Sequence, residues 1–329
     1  MTRFLLRRAL WFVLTLWIVV SVSFVLMRAV RGGPFSAERT LNPEVERSLQ
    51  ARYHLDWPLW KQYLQYIGPL NLGEHGARWA GGDGGAPWGG VLALDLGPSF
   101  NHRDFTVNDV LAQSLPISAA LGALALGWAL VFGLTCGVLA AVRRGTALDL
   151  ALRVLATLGI ALPNFVLAGL ALLVFAFGLG WLPPAGWGDL RHLVLPALVL
   201  GAPFAAYIAR LTRAGMLEVL SQDYVRTARA KGLAPRTVLV RHALRAGVLP
   251  VVTYLGPATA GILTGSLVVE KIFAIPGAGT HFVNSALDRD YTLAMGVTLV
   301  YTVLVYALNT LVDLVMTVLD PRIRPEEAA

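Results

Sequence analysis

Residues 223–250 read DYVRTARAKGLAPRTVLVRHALRAGVLP, a basic and helix-prone segment in a chain that is otherwise mostly apolar. Uncharged runs long enough to cross a bilayer lie on both sides of it. The charged residues between positions 210 and 245 are eight cations, Arg210, Arg213, Arg226, Arg229, Lys231, Arg236, Arg241 and Arg245, and two acids, Glu218 and Asp223. A short amphipathic segment held between two membrane spans can pass the motion of a soluble partner into those spans, and this is our working hypothesis.

Local signals divide this segment into two short helices. Ser221 and Asp223 can cap and charge the start of the first helix, next to the positive end of its dipole. Gly232 can take the left-handed conformation that ends it. Pro235 suits the first turn of a second helix. The order of these residues predicts a helix–glycine–helix unit.

The second half of the segment leads back into the membrane. Arg241 and Arg245 are four residues apart, which predicts that they share one helix face. Pro250 then begins the next apolar run. A basic loop attracted to anionic lipid is the alternative interpretation, but the punctuation by Gly232 and Pro235 favours a docking element.

The composition is that of an integral membrane protein. Of the 329 residues, 56% are apolar and only 14% are charged, against about 25% charged in a typical soluble domain. The pI near 9.8 would suggest nucleic-acid binding if the cations formed a patch on a soluble fold. They flank apolar spans instead, so they indicate orientation in the membrane. The single cysteine, Cys136, permits no internal disulfide.

Six apolar runs are long enough to be considered as spans, since about 20 helical residues cross the ~30 Å hydrocarbon core. They are Ala9–Met27, Leu115–Val142, Val154–Phe177, Leu193–Ala209, Ala246–Val269 and Tyr291–Leu319. The first follows a basic start but is too long for a signal-peptide core, and no small-x-small cleavage site follows it. The fold class is therefore an all-α integral membrane protein of six transmembrane helices.

Three regions follow from this reading. Residues 1–30 hold the amino terminus and the first span. Residues 31–112 form the large polar region, in which Tyr53–Ile67 has the spacing of a surface-lying or packed helix and 76–90 is a Gly-rich loop. Residues 113–329 form a five-helix core that includes a loop at 210–248.

The distribution of charge orients the spans. Six spans place both termini on one side, and the segments on that side carry sixteen cations and six acids. The other side carries eleven cations and thirteen acids, and Asp313 lies inside the last span. The positive-inside rule therefore predicts that both termini and the basic loop are cytoplasmic.

Several motifs resemble those of permease subunits in binding-protein-dependent ABC importers. The basic loop resembles their cytoplasmic EAA loop. The motifs YVRTARAKG, VLVRHALRAGVLPVVTYLGP, LVVEKIFAIPGAGTHFVNSALDRDY and NTLVDLVMTVLDPRIR are similar to the dipeptide/oligopeptide branch. The amino-terminal part, including DLGPSFNHRDFTVNDVLAQSLPIS, resembles the oligopeptide permease B subunits. Two features depart from the general motif: residues 226–228 read RTA in place of EAA, and the distance from Gly232 to Leu249–Pro250 is longer. Relative to the oligopeptide permease B subunits, about 71–92 looks like an insertion.

This resemblance implies a type I ABC importer permease fold in the bacterial inner membrane, with oligopeptides or dipeptides as cargo. It implies that α-helical residues of the loop form a coupling helix docked on an ATPase: Asp223, Tyr224, Arg226, Thr227, Ala228, Arg229, Ala230, Lys231 and Gly232. The implied partners are a second, homologous permease, two ATPase subunits or domains and an extracytoplasmic binding protein. The chain contains no G-x-x-x-x-G-K-[ST] motif, so we expect no catalytic residue or cofactor in it, with ATP and Mg²⁺ held by the ATPases.

Two further groups of residues are candidates for function. Glu270 ends the fifth span, and the turn residues Pro276, Gly277 and Gly279 follow it. The resemblance places them near the outer gate and the binding protein. Asn309 and Asp313 are four residues apart within the last span, where an acid is costly, and we interpret them as an intramembrane polar pair with a structural role.

Other classes of function are less well supported. The same kind of importer could carry nickel or a sugar. A secondary transporter usually shows internal repeats and several intramembrane charges, whereas only Asp313 is evident. Ser266 and His281 raise an intramembrane protease as a further class. The six histidines form no i, i+4 pair, so we expect no metal site.

Overall fold

The computed structural model describes residues 2–29, 43–68, 89–102 and 105–319, most of them helical. The helices of these ranges are α1 (Thr2–Ala29), α2 (Pro43–Arg52), α3 (Leu59–Ile67), α4 (Val107–Val142), α5 (Ala147–Ala161), α6 (Asn164–Ala171), α7 (Arg191–Leu220), α8 (Asp223–Ala230), α9 (Pro235–Thr237), α10 (Arg245–Gly247), α11 (Leu249–Ile272), α12 (Ala278–Leu287) and α13 (Tyr291–Leu319). Two π-helical stretches, Leu172–Gly178 and Val238–Leu244, extend α6 and join α9 to α10. Most of the Gly-rich loop and of the proposed insertion lies outside the described residues.

Four of these helices are long and apolar enough to cross a membrane: α1, α4, α7 and α13. Two bent pairs have the same property when each pair is taken together. They are α5 with α6, bent by 113°, and the 235–247 segment with α11, bent by 49°. The described part therefore holds four candidate spans, or up to six if each bent pair counts as one.

The sharpest bend lies between α5 and α6. Leu162 is extended there, with φ −83° and ψ 127°, because the ring of Pro163 disfavours a helical conformation in the residue before it. The sequence predicted one continuous span over Val154–Phe177, and the structure divides that segment into two arms. Pro163 was visible in the sequence, but the size of the bend was not.

Helices α4 and α7 are both longer than the sequence predicted. Helix α4 begins at Val107 instead of Leu115, because Thr106 and Asp109 form a reciprocal cap in which each side chain accepts a hydrogen bond from the other's backbone N–H. Helix α7 continues to Leu220, eleven residues beyond Ala209, since the charged residues after Ala209 end the apolar run without interrupting the helix.

Contacts divide the chain into two compact units, one of which consists of Ser118–Ile275 with the chain from Leu304 onwards. In this first unit α7 is the central helix and packs against α5, α6, α10 and α11. Gly133 and Gly137 of α4 lie directly on the α7 backbone, where an added Cβ would come within 2.8 Å of the Ala205 carbonyl oxygen and 2.6 Å of that of Ala209. These glycines therefore allow close packing of α4 on α7.

The second unit comprises Thr2–Ile117 and Pro276–Val303. Its centre of polar contacts is Asp290, whose carboxylate is fully buried. This carboxylate accepts hydrogen bonds from the backbone N–H groups of Phe100 and Asn101 at 3.1 and 3.2 Å and from that of Leu293 at 3.2 Å, and also from the Ser99 hydroxyl. One side chain thus joins the 99–101 turn to the start of α13.

Candidate ATPase-coupling site

Helix α8 ends in the way that the glycine predicted. Gly232 has φ +75°, a conformation that side-chain-bearing residues adopt at a cost. Its N–H bonds to the Arg229 carbonyl at 3.0 Å, and the Leu233 N–H reaches back to the Ala228 carbonyl at 3.4 Å. These two bonds form the Schellman pattern that closes a helix.

The start of α8 differs from the prediction. The N-cap residue is Gln222, and its side chain makes no capping hydrogen bond. Ser221 instead donates its hydroxyl to the Glu218 carbonyl at 2.7 Å and so belongs to the end of α7. Asp223 lies in the first turn of α8, as predicted, with its charge next to the N-terminal end of the dipole. The prediction of a Ser221 cap is wrong because α7 runs on to Leu220.

Helix α8 has one buried face and one exposed face. Val225 and Ala228 are buried, at 0% and 6% exposure, in an apolar cluster with Ala141 of α4 and Met216 and Val219 of α7. The other predicted coupling residues are exposed: Asp223, Tyr224, Arg226, Thr227, Arg229, Ala230, Lys231 and Gly232. The largest apolar side chain among them, Tyr224, is 47% exposed. The inner face therefore fixes α8 to the ends of two long helices, while the outer face is available to a partner.

The segment after α8 is less regular than the sequence predicted. Pro235 occupies the first turn of α9, as expected. After α9, the seven residues Val238–Leu244 are π-helical, with hydrogen bonds between residues five apart. Arg241 lies in this stretch and Arg245 begins α10; both are exposed, and their shared face stays a prediction. The chain then bends by 49° before α11, with Pro250 in its first turn.

A cavity of about 740 Å³ lies beside α8. Its lining comes from the ends of α4 and α7 and from the 229–239 segment. Three arginines take part: Arg144, Arg229 and Arg236. None of the three has an ion-pair partner among the residues that the structure describes. The cavity thus combines positive charge with the apolar side chains of Leu217 and Leu239.

A buried ion pair holds α7 in place close to this site. The Asp149 side chain is 1% exposed and accepts hydrogen bonds from Arg213 Nε at 2.8 Å and Arg213 Nη2 at 3.0 Å. It also accepts the Gly145 N–H at 3.0 Å, and Arg153 Nε lies 3.3 Å away. Sequence reasoning missed this pair, because its members are 64 positions apart and nothing local to either residue indicates the other.

Two glycines bring α7 and α10 into backbone contact. Gly215 lies directly against the carbonyl of Gly247, so that no side chain fits between them. Together with the apolar cluster and the ion pair, this contact joins α8, α7 and the 235–247 segment into one packed body. A displacement of α8 must then move the end of α7 with it, because packed interiors are not easily deformed.

Two family models together match nearly the whole chain. The model of binding-protein-dependent transport system inner membrane components matches residues 133–325, and the corresponding N-terminal model matches residues 1–122. The chain belongs to this family.

Named relatives of this permease agree with the family models. The Escherichia coli (strain K12) protein named oligopeptide transport system permease protein OppB is 43% identical over 326 residues, which are 98% of this chain and 100% of the relative. The Bacillus subtilis (strain 168) protein named dipeptide transport system permease protein DppB is 44% identical over 324 residues, 98% of both chains.

Solved structures support the fold of the permease. A structure of the MetNI methionine ABC transporter in an inward-facing conformation matches 64% of this chain and 96% of that chain, with a TM-score of 0.53 and 17% identity. A second crystal form of the same transporter gives a TM-score of 0.52, with 18% identity and the same coverage of both chains. Identities this low concern the fold alone, and the permease therefore shares the helical fold of type I ABC importers.

The predicted outer-gate residues have distinct environments in the permease. Glu270 of α11 is fully buried, and its Oε1 accepts the Ser118 hydroxyl of α4 at 2.7 Å. Its carbonyl accepts the Ile275 N–H at 2.8 Å, which closes the end of α11. Pro276 precedes Gly277, the N-cap of α12, and Gly279 is buried in the first turn of that helix. These residues form a tight turn between two helices.

The predicted polar pair of the last span lies on the side of α13 that faces α11. An added Cβ on Gly256 would come within 3.2 Å of Asn309 Oδ1 and 3.3 Å of Val312. Asp313 follows Asn309 by one turn and is partly buried. Ser266, considered above as a nucleophile, is 1% exposed and donates its hydroxyl to the Leu263 carbonyl of its own helix at 2.8 Å.

Proposed function

We propose that this permease is the membrane subunit of an ATP-driven importer that carries oligopeptides or dipeptides, and that α8 docks on its ATPase. The observation that carries this proposal is the division of α8 into a buried face, fixed by Val225 and Ala228, and an exposed face that carries Tyr224, Arg226 and Lys231. The names of the relatives in Escherichia coli and Bacillus subtilis support peptides as cargo.

The proposed topology has six transmembrane helices and both termini in the cytoplasm. Each bent pair then counts as one span, and the excess of cations in the 143–153 and 210–245 segments faces the cytoplasm. The proposed regions are the amino terminus and first span over 1–30, a periplasmic region over 31–112, and a core over 113–329 with the coupling loop at 210–248.

The proposed mechanism is a mechanical one. A permease with no nucleotide-binding loop of its own takes its energy from a partner, so ATP and Mg²⁺ act in the two ATPase subunits. Closure of these subunits displaces α8, and the packed body around Gly215 and the Asp149–Arg213 pair transmits the displacement into α7. A second permease subunit completes the path, and a binding protein delivers peptide near the turn at 275–279.

Charge reversal on the exposed face of α8 tests the docking. In the double variant Arg226→Glu/Lys231→Glu, we expect the ATPase subunits to be lost on purification of the importer and peptide uptake to fall. The matched control is Arg241→Glu, an exposed arginine of the same loop outside α8. Retention of the ATPase and normal uptake in the double variant would contradict the proposed docking.

The cargo is tested separately in proteoliposomes that contain the complete importer and its binding protein. We expect ATP-dependent accumulation of a labelled oligopeptide, and no accumulation of nickel or of a sugar under the same conditions. Accumulation of nickel or a sugar in place of the peptide would leave the importer class intact and overturn the cargo.

A further inference from the structure

Helix α7 carries an unusual polar stripe. It is the most buried of the four long candidate spans, with 61% of its apolar window buried against 11–33% in the other three. From residue 195 to its end at 220, the exposed positions are Tyr207, Arg210, Ala214 and Glu218. They are three and four residues apart and therefore lie along one face of the helix.

The polar groups of this stripe have no partners in the described part of the chain. The Tyr207 ring lies against that of Tyr254 on α11, with centroids 4.4 Å apart and planes tilted by 38°. Neither hydroxyl makes a hydrogen bond to a described residue, and Arg210 pairs with no described acid. Tyr207 lies inside the apolar run that ends at Ala209, where an unpaired hydroxyl is costly in hydrocarbon, so this face of α7 meets water or protein there. Arg210, Ala214 and Glu218 continue the same face into the loop that begins at residue 210.

Helix α5 shows how a lipid-facing surface of the same unit differs. Its exposed side chains include Leu150, Val154, Leu155 and Leu158, which are 56%, 51%, 63% and 50% exposed and entirely aliphatic. The polar residues beside them have partners in the described part of the chain: Arg153 pairs with Asp149, and the Thr157 hydroxyl donates to the Arg153 carbonyl. The contrast with the α7 stripe separates a surface suited to lipid from one suited to water.

We infer that the stripe of Tyr207, Arg210, Ala214 and Glu218, with Tyr254 beside it, lines the water-filled path through which a peptide leaves towards the cytoplasm. This inference rests on the proposed function. Tyrosine hydroxyls both donate and accept hydrogen bonds, and a guanidinium donates several. These groups can bond to the main chain and terminal carboxylate of a peptide regardless of its side chains.

The inference is testable by thiol labelling, because the chain has a single native cysteine. In a Cys136→Ser background, single cysteines replace Tyr207 or its neighbour Tyr254, both of which lie inside apolar runs. The controls are Leu155→Cys and Val131→Cys, on aliphatic positions that are both 63% exposed. The complete importer is labelled in proteoliposomes with a charged, membrane-impermeant thiol reagent. Labelling is measured both without nucleotide and with a non-hydrolysable ATP analogue, so that both states of the path are sampled.

We expect labelling at 207 and 254 to be at least about tenfold faster than at 131 and 155, since a thiol ionises and meets a charged reagent only in water. Equally slow labelling at all four positions would overturn the inference, whether lipid or a partner subunit covers the stripe. Tyr254→Cys keeps the test valid if Tyr207→Cys fails to fold.

Peptide uptake by the Cys136→Ser parent importer, which keeps the native stripe, separates this inference from the proposed function. Slow labelling of the stripe together with normal peptide uptake overturns the path lining alone. Fast labelling without peptide uptake supports the path lining and overturns peptides as the cargo. If labelling at 207 is fast and a transported tetra-alanine peptide slows it there but not at 131, both the path lining and the peptide cargo are supported.

Discussion

Substitution of Gly232 by valine should uncouple the ATPase from transport through backbone strain alone. The residue has φ +75°, and an added Cβ would meet no atom within 4 Å. Steric clash with neighbours therefore contributes nothing to the effect. The left-handed conformation costs a residue with a side chain about 1–2 kcal/mol, and a β-branched residue suits it least. A penalty of this size lowers the equilibrium constant for forming the native α8 end by about 5- to 30-fold, and its population by at most that factor.

Two controls isolate the coupling loop from general strain. Gly180 has φ +64° and also has no atom within 4 Å of an added Cβ, but it lies after the π-helical stretch 172–178. Gly180→Val thus imposes a comparable strain outside the coupling loop. Gly232→Asn keeps the loop position and replaces valine by a residue that tolerates the left-handed conformation.

The assay is peptide uptake and ATP hydrolysis by the complete importer, reconstituted with limiting ATPase. For Gly232→Val we expect peptide uptake per ATP hydrolysed to fall by up to about 30-fold, with normal membrane insertion. Both control variants should stay within about twofold of the native importer. Native coupling in Gly232→Val, or an equal loss in Gly180→Val, would refute the reasoning.

Three further predictions concern contacts outside α8. Arg213→Leu should lower the thermal stability of the permease, because the Asp149 carboxylate then keeps only the Gly145 N–H and the half-exposed Arg153 as partners. Adding Asp149→Asn should recover much of that loss, and no recovery would contradict a charge-pair origin. Asp290→Ala should unfold the second unit selectively, because three backbone N–H groups lose their acceptor. Hydrogen exchange of residues 99–101 measures this, and unchanged protection of their amides would contradict the role of Asp290 as their common acceptor. Burial, and next the neighbouring His102, lower the pKa of His281 below its ordinary value. The folded form therefore resists protonation, and stability should fall as the pH drops below about 6.5. In His281→Gln the melting temperature should depend less on pH between about 5 and 7, the range in which histidine titrates, and an unchanged pH dependence would show that His281 is not the titrating group.

The sequence predicted those features that depend on local backbone chemistry. Gly232 ends α8 in a left-handed conformation, Pro235 begins α9, and Pro250 lies in the first turn of α11, because each of these residues restricts or frees its own φ angle. The apolar runs likewise located the candidate spans, since a helix needs a minimum apolar length to cross a bilayer.

The features that sequence reasoning missed depend on which helices approach each other. The Asp149–Arg213 pair forms only when α5 packs on α7, and no spacing in the sequence encodes that contact. The role of Asp290 as a common acceptor requires the 99–101 turn, almost two hundred residues away in the chain. The π-helical stretch over 238–244 also escaped prediction, since its composition is that of an ordinary helix.

Photo-crosslinking from α8 tests the central claim most directly. A photoreactive residue replaces Tyr224, on the exposed face of α8, in the complete importer; the control position is Leu190, which is 75% exposed and precedes α7. The account predicts a covalent adduct between position 224 and the ATPase subunit and no such adduct from position 190. The claim that α8 is the coupling element would be contradicted if position 224 formed no adduct with the ATPase while position 190, or a position on an aliphatic face of the permease, did form one.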